Sequence, residues 1–247
     1  MPTPRPSANP WGPGNPSLPD RVSGQKVELD DDYSPLAGFT VNHIKYINGY
    51  PNGGVRPDAD ITRAEVAAII FRLLTAADKN DPMIQMFPDV AVTEWYGQSV
   101  SYLASIGVLK GYLDGMFRPD EPVTRAEFAT MMSRFDNLET IDEAKFYDTA
   151  GHWAEAFINS AAQKGWVTGY PDGTFQPDNN MSRAEVVTVI NRVLYRGIQP
   201  EDIPFWAPYF NDLAVSHWAY TAIIEAATGH NFERKDNGFE IWTRHND

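Results

Sequence analysis

A chain of 247 residues with 20 Lys+Arg against 33 Asp+Glu carries a formal net charge of −13, and 43% of its residues are hydrophobic. That is ample material for a packed core, while the acidic balance weighs against non-specific nucleic-acid binding and against adhesion to an anionic membrane. The absence of cysteine excludes disulfides, cysteine-ligated zinc and thiol catalysis, and no run of about 18 apolar residues is present to cross a bilayer as a helix.

The first twenty residues, MPTPRPSANPWGPGNPSLPD, are rich in Pro, Gly, Ser and Asn. Pro fixes φ and removes a donor, so the stretch reads as an extended linker. It has no apolar h-region and does not read as a signal peptide; if the protein is exported, its export signal is expected outside this sequence. Asp30, Asp31 and Asp32 follow in a polar segment, read as solvated. Residues 1–40 are therefore assigned as a Pro-rich and acidic linker.

From Gly49 the chain repeats itself. GYPNGGVRPDADITRAE, GYLDGMFRPDEPVTRAE and GYPDGTFQPDNNMSRAE begin at Gly49, Gly111 and Gly169, and each places an Arg 14 positions after its first Gly: Arg63, Arg125 and Arg183. A second block recurs as FPDVAVTEW from Phe87, FYDTAGHW from Phe146 and FNDLAVSHW from Phe210. A repeat cannot bury its apolar face alone. The chain opens on the second half of a unit, runs through two whole units and ends on a first half. The two orphan halves are expected to meet, the segment around Trp218 packing beside the first GY…TRAE segment and closing a three-lobed ring.

Taken in order, the elements have local causes. Thr62-Arg63-Ala64-Glu65 is a capping box: the hydroxyl accepts from the N3 amide and the Glu reaches back to the N-cap amide. Val66, Ile69, Ile70 and Leu73 then follow at helical spacing. After the Phe87 block, residues 96–106 place Val100, Leu103, Ala104 and Ile106 on one helical face, with Gly107 as a C-cap. Asp114-Gly115 signals a turn, and R-P-D forbids helix because Pro restrains itself and its predecessor. Thr124 to Glu127 opens the next capped helix. The third unit repeats the pattern, with a helix over 153–163, a turn at Asp172-Gly173 after Pro171, and a capping box from Ser182 to Glu185. Beyond Gly229, Asp236-Asn237-Gly238 can close a small hairpin, with Trp242 as its hook onto the body.

These residues resemble the S-layer homology (SLH) domain family, whose unit begins F-x-D…H-W-A, passes through G-Y-x-D-G-x-F-x-P and ends in I-T-R-A-E before an apolar helix. The likeness runs from about Tyr46 to Glu225. It implies an all-α fold of three helix-loop-helix pseudo-repeats closed into a pseudo-threefold prism, with the C-terminal half unit completing the N-terminal one. The expected domain is 41–228, with units at 41–75 plus 210–228, 87–136 and 146–196, and a tail at 229–247 packing on it. It further implies a bacterial surface anchor, located extracellularly at the cell wall or S-layer. The implied ligand is a secondary cell-wall polysaccharide, often bearing pyruvylated N-acetylmannosamine, or modified peptidoglycan in some bacteria. Contacts implied in the grooves between units are Arg63, Arg125 and Arg183, Asp89, Asp148 and Asp212, Trp95, Trp153 and Trp218, and the G-Y loops with Tyr50, Tyr112 and Tyr170. The match has gaps: Glu94 stands where His152 and His217 stand elsewhere, Leu113 replaces Pro, and the first loop reads NGGV, so the first groove departs furthest.

The chemistry leaves alternatives open. An Arg at the first helical position, beside a partially positive helix end, can hold a carboxylate such as a pyruvate ketal; it can equally pair with Asp or a loop carbonyl and tie units together. The Trp rings can stack on sugars or anchor the core, and the Tyr hydroxyls can reach sugar hydroxyls or pack half-buried. Lys110 adds a cation beside the second G-Y, which favours that groove for an acidic sugar. The repeated Asp residues lack the second carboxylate that a catalytic pair needs, so an N-cap or an Arg partner accounts for them better. His152 and His217 belong to no metal-binding pattern, and no cofactor or metal is expected. The leading function is a non-catalytic anchor with cargo expected upstream; the alternatives are a protein-assembly module of a surface layer and, against the missing carboxylate pair, a wall hydrolase.

Overall fold

A computed structural model describes residues 38–75, 84–135 and 144–246. Nearly all of the assigned linker, including the acidic run Asp30–Asp32, lies outside the described residues. Among the described residues the regular structure comprises six α-helices, two short 3-10 helices (Tyr147–Thr149 and Pro200–Asp202) and one hairpin: α1 (Arg63–Leu73), α2 (Gly97–Ser105), α3 (Arg125–Ser133), α4 (Glu155–Gln163), α5 (Arg183–Val193), α6 (Tyr220–Ala226), β1 (His230–Arg234) and β2 (Glu240–His245).

The three capping boxes form as the sequence requires. Thr62, Thr124 and Ser182 accept from the amides of Glu65, Glu127 and Glu185, and each Glu returns a bond to the cap amide. Helices pack in chain order, α1 on α2, α3 on α4 and α5 on α6. Phe71 meets Tyr102 edge-on at 5.5 Å between the first pair, and Asn191 donates to the Ala222 carbonyl between the last. Equivalent positions of the repeats fill the core: Val55, Phe117 and Phe175 from the loops, Ile61, Val123 and Met181 before the caps, and Val66, Phe128 and Val186 on the helices, all at most 1% exposed.

The connections between the repeats close on themselves. Ile61 N–H donates to Met181 O, Met181 N–H to Val123 O, and Val123 N–H to Ile61 O. One turn out, the amides of Arg63, Arg125 and Arg183 donate to the carbonyls of Glu121, Asn179 and Ala59, and those of Ala64, Ala126 and Ala184 to Pro119, Pro177 and Pro57. Two of the orphan amides at each helix start are thus satisfied by a neighbouring loop, leaving fewer for an outside anion than a bare helix end offers.

The F-x-D blocks hold the G-Y loops. Asp89 accepts from the amides of Phe117 and Arg118, Asp148 from Phe175 and Gln176, and Asp212 from Val55 and Arg56. The carboxylates therefore cap neither a helix nor an Arg, as their spacing had suggested; they bind loop backbone. Arg56, Arg118 and Gln176, each before a Pro, take φ of 51°, 57° and 55°, a left-handed conformation costly for a non-glycine residue and held here by the Asp oxygen. The adjacent Phe explains the Gly of G-Y: a Cβ on Gly49 would lie 2.7 Å from the Phe210 ring, and one on Gly111 2.7 Å from Phe87.

The hairpin follows α6. β1 and β2 pair antiparallel with a bulge at Asn231/Phe232, Gly238 in the turn has φ 85°, and Trp242 is 6% exposed. The strands attach to the start of the fold through His230 N–H to His43 O, and to the segment after α5 through Glu240 N–H to Gly197 O.

Candidate functional site

The R-A-E tripeptides meet one another across the repeats. Arg63 Nη1 donates to Glu127 at 2.8 Å, Arg125 Nη1 stands 3.7 Å from Glu185, and Arg183 Nη1 lies 3.3 Å from Glu65. Each guanidinium also binds the residue before the next G-Y, through Lys110 O, Thr168 O and Asn48 O respectively. Arg63 and Arg125 add Nε bonds to Phe117 O and Phe175 O. All three are buried, and desolvation lowers the pKa of Arg125. The carboxylate beside each Arg is thus supplied by the protein, and the tying role left open by the sequence is present at every junction.

The same Glu residues take the tyrosines. Tyr50 Oη donates to Glu65 at 3.0 Å and Tyr112 Oη to Glu127 at 2.9 Å. Burial raises both phenols above their ordinary value, against the pull of Arg183 on Tyr50 and of Arg63 on Tyr112, and the neighbouring Glu raises them further; both stay protonated donors at neutral pH. Cations cover the rings: Arg56 sits 3.9 Å over Tyr50, Arg118 4.3 Å over Tyr112 and Arg125 4.8 Å over Tyr170.

A groove of about 210 Å³ opens beside the first segment, lined among others by Asn48, Tyr50, Glu65, Arg72, Trp95 and Arg183. It thus draws on the third segment for Arg183, on the first for Tyr50 and Glu65, and on the second unit for Trp95. It lies at the groove whose sequence departs furthest from the repeat pattern, away from the second G-Y that Lys110 precedes. Lys110 is exposed.

The repeated tryptophans divide between the two roles: Trp95 and Trp153 project into solvent, while Trp218 packs against the core. Trp95 is 66% and Trp153 60% exposed, and Trp218 is half-buried. They stand where the chain enters α2, α4 and α6. His152 and His217 explain the rest of that motif: their Nδ1 atoms accept from Ala154 and Ala219 amides, and their Nε2 atoms face Asp178 and Asp58 of the P-D steps at 3.3 and 3.2 Å. They work as local clamps. Glu94 takes this position in the other unit.

Two sets of residues escaped the sequence reading. The R-A-E glutamates were credited with capping alone, although each also joins an Arg from another repeat. A second arginine recurs nine positions after the first, as Arg72, Arg134 and Arg192, donating to the carbonyls of Tyr46, Val108 and Trp166. That spacing was visible in the repeats. Arg72 is exposed, Arg134 half-buried and Arg192 buried, so the three equivalent positions differ in how far the cation reaches solvent.

Known proteins share this pattern. The family model described as the S-layer homology domain matches residues 45–67, 87–129 and 145–187. The chain is 40% identical over 208 residues to cell surface glycoprotein 1 of Acetivibrio thermocellus, covering 78% of this chain and 9% of that protein. It is 37% identical over 216 residues to the cellulosome-anchoring protein of the same organism, covering 84% and 47%, and 31% identical over 160 residues to the S-layer protein sap of Bacillus anthracis, covering 64% and 18%. The chain thus spans less than half the length of each of these relatives. Two of these relatives are named for the cell surface or its S-layer and one for anchoring the cellulosome. The matched stretches carry the capping boxes, the loop-binding Asp89 and Asp148 and the linked R-A-E tripeptides, and by them this chain belongs to the S-layer homology domain family.

Proposed function

We propose that this chain is a non-catalytic cell-surface anchor whose inter-repeat grooves bind a secondary cell-wall polysaccharide of the pyruvylated N-acetylmannosamine type. The observation that carries this reading is the groove beside the first segment, where an exposed indole, a protonated phenol and two arginines converge. An indole face suits the C–H face of a sugar, and a guanidinium suits a ketal carboxylate. Trp95, Trp153 and Trp218 would supply sugar faces, Tyr50, Tyr112 and Tyr170 hydroxyl contacts, and Lys110 the charge at the second groove. Arg63, Arg125 and Arg183 would share their Glu partners with the ligand's acid, and Asp89, Asp148 and Asp212 would hold the loops that shape each groove.

The reading also takes the repeats as a pseudo-threefold ring completed by the segment from residue 210. The cyclic bonds among Ile61, Val123 and Met181 and the cyclic Arg–Glu pairs support it.

Co-sedimentation with purified wall sacculi tests the proposal, before and after the secondary polymer, or only its pyruvate, is removed. Loss of binding on depyruvylation supports it. Binding indifferent to pyruvate overturns the ketal ligand, and binding that survives removal of the polymer redirects the site to peptidoglycan. Self-association by light scattering without any wall material, together with no sacculus binding, would make the chain an assembly module instead.

A further inference from the structure

Behind the hairpin, four side chains from four segments converge: His43 from the strand-like start of the fold, Glu225 from α6, His230 from β1 and Glu240 from β2. They are 5%, 0%, 1% and 0% exposed. His43 Nδ1 lies 3.0 Å from His230 Nε2, 3.4 Å from Glu225 Oε1 and 3.2 Å from Glu240 Oε2; His230 Nε2 lies 3.4 and 3.5 Å from the same two oxygens. Imidazole nitrogens and carboxylate oxygens bind Zn²⁺ at about 2.0–2.2 Å, so the corners of a regular tetrahedron of ligands stand about 3.3–3.6 Å apart. Five of the six separations fall at or just inside that spacing, and all four donor atoms lie within 4.8 Å of one another.

The donor chemistry agrees. Among the described residues no hydrogen bond of good geometry reaches the four carboxylate oxygens of Glu225 and Glu240, although the Trp242 indole N–H is directed at both groups; buried acceptors so placed are costly. Arg234 Nη1 stands 3.4 Å from Glu240 on one side. His230 Nδ1 lies 3.0 Å from Thr228 O and donates to it, which leaves the Nε2 lone pair aimed into the cluster, the usual support for a ligating imidazole. His43 stacks on Phe232 at 3.9 Å and His230 on Trp242 at 4.1 Å, so both rings are held in place. The buried Arg196 and the nearby Arg234 also face these carboxylates, so a divalent ion here would join a set that already holds cations, and the case for it rests on the donor geometry. His43 and His230 also border a cleft of about 740 Å³ that gives an ion access.

We propose that His43, Glu225, His230 and Glu240 bind one divalent transition-metal ion, Zn²⁺ by geometry and donor set, as a structural site. Four protein ligands leave no open position for chemistry, which separates structural from catalytic zinc. The site joins the start of the fold to its C-terminal hairpin, the cross-link that a disulfide would make in a chain with cysteine. Sequence reading set metals aside because His152 and His217 fit no pattern; the two histidines that matter lie 187 residues apart.

The test uses the untagged full chain, purified without chelator and dialysed. Mass spectrometry of the metal content should find about one zinc per chain. Glu225→Gln with Glu240→Gln removes both ligating carboxylates at nearly unchanged volume, though it leaves Arg196 and Arg234 without their acidic neighbours; in the variant that circular dichroism shows to be folded, zinc should fall below a tenth of the original. Chelator-stripped chain refilled with Co²⁺ should show tetrahedral visible absorption, a readout that needs no variant. Absence of that spectrum overturns the site. So does unchanged zinc content in a folded double variant, or a melting temperature of the stripped chain that added Zn²⁺ leaves unmoved.

Discussion

Arg183 reaches Glu65 at 3.3 Å across 118 residues of sequence, and that pair brings the last R-A-E tripeptide onto the first. Its counterparts, Arg63 with Glu127 and Arg125 with Glu185, link the other repeats in the same direction. A residue that orients a groove-lining Glu and Tyr while carrying a buried charge has two effects when removed. Stability and binding must be separated before either is interpreted.

Arg125 is 1% exposed and its partner Glu185 6%. Arg125→Ala leaves a buried carboxylate without its cation and should cost about 3–5 kcal/mol. Urea unfolding of variant and parent, compared at equal slope, measures this. A loss under about 1 kcal/mol would mean that the guanidinium is a surface contact in solution and free for ligand. Arg72→Ala, at an exposed position in the groove, should leave stability within about 0.5 kcal/mol and lower wall binding.

Asp212 holds the Val55 and Arg56 amides at 2.7 and 2.8 Å from the far end of the chain. Asp212→Ala removes two charge-assisted bonds at about 1.5–3 kcal/mol each, and releases Arg56 from its left-handed conformation. Hydrogen exchange should quicken in both 49–56 and 210–228. Asp148→Ala, whose loop is nearer in sequence, should confine the change to 146–176. Equal, purely local effects in the two variants would show that the terminal segments do not hold each other.

How much of this was legible depends on range. The capping boxes, the Gly turns and the hairpin arise from residues within a few positions of one another, and the structure has them where the sequence puts them. Proline excluded helix at the R-P-D and Q-P-D steps, yet nothing local indicates that Arg56, Arg118 and Gln176 turn left-handed; the cause is a carboxylate from another block. The R-A-E glutamate looked complete as a cap because one carboxylate oxygen does cap, while the other reaches a distant Arg. The tryptophans were ambiguous because a ring before a helix packs or projects according to its neighbours, which are set by tertiary structure. His43 and His230 carried no spacing signal at all.

Gly49 tests the loop packing directly. Gly49→Ala sets a Cβ 2.7 Å from the Phe210 ring, an overpacking expected to cost about 1–3 kcal/mol. Phe210→Leu makes room, so the double variant should lose less than the sum of the two single losses. Additive losses in a double-mutant cycle would place Phe210 away from Gly49 in solution.

The net charge of −13 makes the ligand problem specific. An acidic chain attracts an acidic polymer only where cations are concentrated, and the first groove concentrates Arg72 and Arg183 beside an exposed Trp95. Trp95→Ala should change stability little, since 66% of the ring is already in water, and should weaken wall binding about tenfold, or about 1.4 kcal/mol. Contacts at short range in a groove are screened less than charges spread over a surface. Raising salt from about 0.05 M to 0.3 M should therefore weaken binding by less than the Trp95→Ala change does. Surface plasmon resonance on immobilised polymer gives both numbers in one series. A salt effect of a hundredfold, with Trp95→Ala indistinguishable from the parent, would mean that diffuse attraction drives binding and that the groove does not.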